Sequence, residues 1–117
     1  MKFRHFTIQT SKFEEEIKFY EEFCGLHIVH DKRPAHDLVF LSNGGEDETR
    51  VEIIGNPDAD ESGNRFQAIG FQADDTEALR EEYIKRGLEA TELINPLPTV
   101  KFFYVKDPAG VNVQFIE

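Results

Sequence analysis

Four histidines, one cysteine and 23 carboxylates are the side chains of this sequence best suited to bind a metal or move a proton. An imidazole and a carboxylate can each ligate a divalent cation or carry a proton near neutral pH. His5 and Glu52 stand apart from the rest because each falls on the polar side of an alternating segment. In residues 3–9, FRHFTIQ, Phe6 and Ile8 point one way and His5, Thr7 and Gln9 the other, the period of a half-buried strand. Around Glu52, Val51 and Ile53 oppose Arg50, Glu52 and Ile54. The remaining candidates have plainer readings. His27 and His30 are three apart on a predicted strand and should face opposite sides, so they should not share a metal. His36 starts a strand and either faces a cavity or sits in a surface loop. Cys24 closes a helix and reads as packing. Glu14, Glu15 and Glu16 read as a solvated helix start, where acids suit the helix dipole. Asp74 and Asp75 read as helix caps.

These groups must be positioned by a small fold. The chain has 117 residues, 39% of them hydrophobic and eleven of them Phe, enough for one compact domain or two small modules. Its formal charge of −10 opposes binding to nucleic acid and to anionic membrane surfaces. One cysteine excludes an internal disulfide and a Cys-based zinc motif. The opening MKFRHFTIQT lacks a hydrophobic run of signal-peptide type and no stretch approaches transmembrane length, so the cytoplasm is the expected location.

The pattern predicts a strand at 3–9, then a helix capped by Thr10 or Ser11 and running to about Phe23, with Phe13, Ile17, Tyr20 and Cys24 at helical spacing. Gly25 stops it. Strands follow near 26–32, 37–42 and 49–54, with a turn at Asn43-Gly44-Gly45. Residues 56–64, NPDADESGN, read as a linker. A second round then begins: a strand from Phe66 to Gln72, a helix to Arg86 with Leu79 and Tyr83 on its apolar face, and strands near 88–93, 99–105 and 111–116. Asn95-Pro96-Leu97-Pro98 reads as a stiff loop at a cavity rim. Asp107-Pro108-Ala109-Gly110 reads as a turn.

The second round repeats the first. Gly25-Leu26 recurs as Gly87-Leu88 and Val51-Glu52-Ile53-Ile54 as Val113-Gln114-Phe115-Ile116, both displaced by 62 residues, while the first strand recurs at 63. Neither half is large enough to close a core alone. The expected fold class is therefore α+β: module 1 (1–55), linker (56–64) and module 2 (65–117), two βαβββ modules forming a curved mixed sheet with helices outside. In the second module Ile69 and Phe71 oppose Ala68, Gly70 and Gln72, and Val111, Val113 and Phe115 oppose Asn112, Gln114 and Ile116. If the sheet curls, its polar face becomes a cavity lined by Thr7, Gln9, Arg50, Gln72 and Asn112. One of Phe102, Phe103 and Tyr104 should join them, and Phe103 is assigned that place. If it does not curl, that face is simply solvated.

Three segments resemble the vicinal oxygen chelate family, which includes glyoxalase I and the bleomycin-resistance proteins. HFTIQTSKFEEEIKFYEEFCGL is similar to the family's first strand and helix, and AIGFQADDTEALREEYIKRGL to the start of its second module. FFYVKDPAGVNVQFIE is similar to its closing hairpin, with the aspartate-proline-x-glycine turn. The resemblance covers nearly the whole chain. In metal-using members four positions converge on one divalent ion. Carried over by motif, these fall on His5, Glu52, Ala68 and Gln114. His5 and Glu52 are competent donors, Gln114 offers a neutral amide oxygen, and Ala68 offers nothing. The resemblance thus implies a metal set of His5, Glu52 and Gln114 for Ni, Zn, Mn or Fe, with Glu52 as the catalytic base of a lyase or isomerase acting on a small carbonyl or thiol-conjugated substrate. The alternative it implies is a metal-free binder of a small, antibiotic-type molecule. It also implies a homodimer, in which exchanged modules would bring Gln114 of one chain to His5 and Glu52 of the other.

Overall fold

The computed structural model describes residues 1–117, in two compact units, Met1–Glu61 and Ser62–Glu117. In the first, the elements run β1 (His5–Thr10), α1 (Phe13–Cys24), β2 (His27–Asp31), β3 (Leu38–Ser42) and β4 (Arg50–Gly55). In the second they run β5 (Ala68–Gln72), α2 (Thr76–Lys85), β6 (Ile94–Leu97), β7 (Val100–Lys106) and β8 (Asn112–Ile116). Each unit has its own four-stranded mixed sheet, in the orders β1-β4-β3-β2 and β5-β8-β7-β6. The class is α+β, built from two βαβββ modules.

The repeat is written into strand register. β1 runs parallel to β4 with His5 opposite Arg50 and Thr7 opposite Glu52. β5 runs parallel to β8 with Ala68 opposite Asn112 and Gly70 opposite Gln114. The first-strand offset of 63 and the fourth-strand offset of 62 therefore describe the same pairing. The segment 56–64 carries turns and enters a short 3₁₀ helix, Ser62–Phe66.

Strand parity sorts the side chains as alternation requires. Ile8, Val39, Leu41, Val51 and Ile53 are buried together with Phe13, Ile17, Phe19 and Tyr20 of α1. In the second unit Phe103, Val105, Val113 and Phe115 are buried with Tyr83 of α2. Tyr83 meets the Phe115 ring edge-on at 5.3 Å, and Phe103 stacks on Phe115 at 5.4 Å. Gly25 takes the left-handed conformation (φ 65°) and donates its N–H to Tyr20 O, ending α1 without the Cβ clash another residue would meet.

Several local expectations are corrected. Neither Thr10 nor Ser11 caps α1. The Thr10 hydroxyl accepts from Lys12 N at 2.9 Å and Ser11 donates to Glu61 Oε2 at 3.1 Å, so the helix begins one turn-residue later, at Phe13. Asp75 does cap α2, accepting from Ala78 N at 3.1 Å. Glu16 is fully buried rather than solvated, because three and four residues around the helix place it with Phe13, Ile17 and Tyr20. The strand expected at 88–93 is only an isolated bridge, Ala90 to Val105; the edge strand instead occupies Ile94–Leu97, the segment read as a loop. Pro96 is tolerated there because an edge strand need not donate every N–H. In the β2–β3 connection, Arg33 grips the Asp31 carboxylate through Nε and Nη2 at 3.0 and 2.8 Å and holds that carboxyl at about 2, well below its ordinary value.

The closing hairpin turns on Asp107. Its Oδ1 accepts from Val111 N at 2.9 Å, its backbone pairs with Val111 O at 3.0 Å and with Gly110 N at 3.0 Å, and the side chain is buried. Asp107→Ala should remove about 1–3 kcal/mol of stability by leaving a buried N–H without its acceptor. The exposed Asp74→Ala should change it by less than about 0.5 kcal/mol. Urea denaturation of the two variants checks the contrast.

Candidate functional site

On the face of the first sheet away from α1, three side chains meet. His5 Nε2 lies 3.6 Å from Glu52 Oε1. The Thr7 hydroxyl donates to the same oxygen at 2.5 Å. The parallel register explains the arrangement: Thr7 sits directly opposite Glu52, and His5, two residues earlier, shares its face. Glu52 is largely covered, with 13% of its side chain exposed, against 40% for His5. A carboxylate this enclosed needs donors, and the hydroxyl supplies a charge-assisted one. Phe40, opposite Glu52 on β3, forms the adjoining wall. The His5 ring meets it edge-on at 5.5 Å and the His30 ring lies 5.9 Å from it.

His30 reaches this face through an irregularity in β2. His27 pairs with Ser42 and His30 with Phe40, and a β-bulge falls between Ile28 and His30. The bulge absorbs the odd residue, so the two histidines share a face instead of opposing. His36 is exposed in the turn that precedes β3. Gln9 is held by Asn56, whose Nδ2 donates to Gln9 Oε1 at 3.1 Å.

The equivalent face of the second unit carries different chemistry. Gln114, the counterpart of Glu52, donates from Nε2 to the Tyr104 hydroxyl at 3.4 Å. Gly70 replaces the Thr7 hydroxyl with bare backbone; a Cβ there would sit 3.1 Å from Gln114 Oε1. Ala68 stands in the place of His5. Gln72 is exposed. Asn112 is tied down, its Nδ2 donating to Arg65 O at 2.8 Å and Gln67 O at 3.2 Å. Phe103 does not line an opening: it is fully buried on the α2 side, where its parity with Val105 puts it. Phe102 and Tyr104 share the open face, their rings edge-on at 5.7 Å, and Tyr104 with Asn112, Thr91 and Lys106 borders a cavity of about 460 Å³. The pairing of Tyr104 opposite Gln114 on β8 is the signal that distinguishes it from Phe103, since Gln114 already lies on the polar face.

The model of the Glyoxalase/Bleomycin resistance protein/Dioxygenase superfamily matches residues 2–115. The chain belongs to this superfamily. It is 25% identical to the lactoylglutathione lyase of Neisseria meningitidis serogroup A over all of its own length and 91% of that protein. Among solved structures it is similar to TnmS3, an antibiotic binding protein from Streptomyces sp. CB03234, with a TM-score of 0.75, 20% identity, and coverage of 98% of this chain and 93% of that one. A superfamily member from Sphaerobacter thermophilus gives a TM-score of 0.73 at 22% identity, covering 100% and 97%. These two structures share the fold. No helix of the chain is long and apolar enough to cross a membrane.

The divalent metal implied by the family resemblance fits this chain only in part. His5 and Glu52 are sound donors, and their 3.6 Å separation is close to that of two ligands each about 2.0–2.2 Å from one cation. Ala68 has no donor atom, and Gln114 contributes no charge. No group of three or more His, Cys, Asp or Glu residues is gathered for a metal. Removing the hydroxyl in Thr7→Val should destabilise the fold by about 1–2 kcal/mol, because Glu52 loses its donor while remaining enclosed. Thr7→Ser should retain most of that stability. Equilibrium unfolding of both variants checks it.

Proposed function

We propose that this protein binds a small organic molecule on the open face of its first unit, beside a reduced metal site. The supporting observation is the asymmetry of the two units. His5, Thr7 and Glu52 form a connected polar cluster, whereas Ala68, Gly70 and Gln114 at the equivalent positions offer no charged donor. A four-donor centre is therefore reduced to two strong donors, which hold a divalent cation weakly. The Phe40 wall and the polar cluster beside it are the mix of apolar surface and few oriented polar groups that small-molecule sites use.

A second reading keeps an enzyme. In it His5, Glu52 and Gln114 hold Ni, Zn, Mn or Fe, which would polarise a carbonyl of the substrate. Glu52 favours this reading, because the Thr7 hydroxyl fixes one of its oxygens and leaves the other to take a proton from carbon. Gln114 cannot serve as a second base, so a one-base lyase or isomerase reaction is the form it would take. The 25% identity to a lactoylglutathione lyase lends the same support. In both readings the protein is a homodimer that takes a small ligand, works in the cytoplasm, and binds neither nucleic acid nor membrane.

Elemental analysis of protein purified without chelator, with His5→Ala alongside, separates the readings. The ligand-binding reading expects well under one metal per chain, unchanged in the variant, and stabilisation by members of a small-molecule panel in thermal shift. One metal per chain, lost in His5→Ala, would establish the metalloenzyme instead.

A further inference from the structure

One cavity of the first unit carries a charge opposite to that of the chain. It has a volume of about 500 Å³ and opens at the start of β1 and β4, where Arg4, Arg50 and Lys32 line it beside His5, His30 and Phe40. Around it the protein is strongly acidic, with 23 carboxylates to 13 basic residues. Cations in such a chain should find acidic partners, and elsewhere many do. Arg33, next to Lys32, holds Asp31 at 2.8 Å and faces Glu14 at 3.6 Å. Arg80 and Lys101 are paired likewise, to Glu92 and Glu77.

The three cavity cations have no such partner, although acids are close by. Two carboxylates and Lys2 also border the cavity. Lys2 is neutralised by Asp47 at 3.1 Å. Glu48 is turned back onto its own loop, its Oε2 accepting from Asn43 N at 2.5 Å. Glu46 is exposed, and its carbonyl oxygen takes the Lys2 ammonium at 3.3 Å. Strand pairing brings the backbones of two of the cations together: Arg50 pairs with His5 across the parallel strands, and Arg50 N donates to Arg4 O at 2.9 Å. Gathering four cations around two carboxylates leaves an excess of positive charge at the cavity, and a bound anion offsets it. Arginine is suited to that task because its fork presents paired donors to carboxylate or phosphate oxygens.

We infer that this cavity receives the anionic end, a carboxylate or a phosphate, of the small molecule that the protein binds. Arg4, Arg50 and Lys32 hold the anion and Phe40 packs against the carbon attached to it. The inference rests on the reading of the open face as a ligand site and adds the ligand's chemical class. It also gives an orientation. Arg50 and Glu52 are two residues apart on one face of β4, a span of about 6.6 Å along the strand. An anion seated at Arg50 therefore lies on the same face of β4 as the Glu52 carboxylate, with the rest of the ligand directed along the strand.

The test is isothermal titration of the intact protein with inorganic phosphate, with succinate, and with uncharged succinamide, at low and at high salt. Saturable binding of phosphate or succinate but not succinamide, weakened by salt, is expected. Phosphate binding more tightly than succinate would point to a phosphorylated ligand, and the reverse order to a carboxylate. Arg50→Gln should weaken anion binding about tenfold. Lys85→Gln, which removes an exposed cation of α2, should leave it unchanged. Circular dichroism establishes that both variants are folded, and Arg4→Gln with Lys32→Gln gives a second route should Arg50→Gln unfold. Absence of saturable anion binding, or equal affinities in Arg50→Gln and Lys85→Gln, would overturn the inference. Failure of the parent reading looks different: no member of a thermal-shift panel, charged or neutral, would stabilise the protein. Neutral ligands that stabilise wild type and Arg50→Gln alike would overturn the anion assignment alone.

Discussion

The parallel pairing of the first strand of each unit with its last is the constraint on which the rest depends. A parallel pair joins strands far apart in sequence, and its register cannot slip by one residue without turning every buried side chain outward. In the first unit that register buries Ile8, Val51 and Ile53 against α1 and leaves Thr7 facing Glu52 across the opposite face. In the second it buries Val113 and Phe115 and leaves Gly70 facing Gln114. One topology, used twice, thus presents two equivalent platforms, and what each can do depends on a few side chains.

The two platforms have diverged in electrostatics. The first keeps an enclosed carboxylate, a hydroxyl that donates to it, an imidazole 3.6 Å away and, bordering a cavity at the strand ends, more cations than carboxylates. The second has neutral groups at the equivalent positions: an amide, a phenol beside it and a glycine whose missing side chain leaves room beside Gln114. An enclosed carboxylate is stable only with donors around it. Thr7 provides one, and the His5 imidazole lies 3.6 Å from the same oxygen. The cations beyond them supply long-range attraction for anions that the chain as a whole repels.

Much of this was legible in the sequence because it follows from parity and repetition. Alternation in FRHFTIQ and around Glu52 assigned His5, Thr7 and Glu52 to one face, and the 62-residue repeat gave Gln114 as the counterpart of Glu52. What escaped depends on backbone irregularity or on choices parity leaves open. The bulge between Ile28 and His30 reverses the face of His30, and no residue type announces it. Pro96, with Pro98 just beyond it, concealed β6, because an edge strand tolerates a proline where a central one would not. Within Phe102-Phe103-Tyr104, alternation requires that Phe103 differ from its neighbours without saying which side it takes; pairing with β8 decides it. The cation cluster escaped because Arg4, Lys32 and Arg50 are scattered along the chain and border one cavity only once β1, β4, β3 and β2 are aligned.

We propose that the chemistry of this protein is concentrated at His5 and Glu52 of the first unit. Imidazole nitrogen signals followed by long-range proton–nitrogen NMR during a zinc titration test it most directly. Of the four histidines, His5 should respond first, with the rapid exchange of a weak site, and Glu52→Gln should abolish the response. A first response at His27, His30 or His36, or a His5 response indifferent to Glu52→Gln, would contradict it.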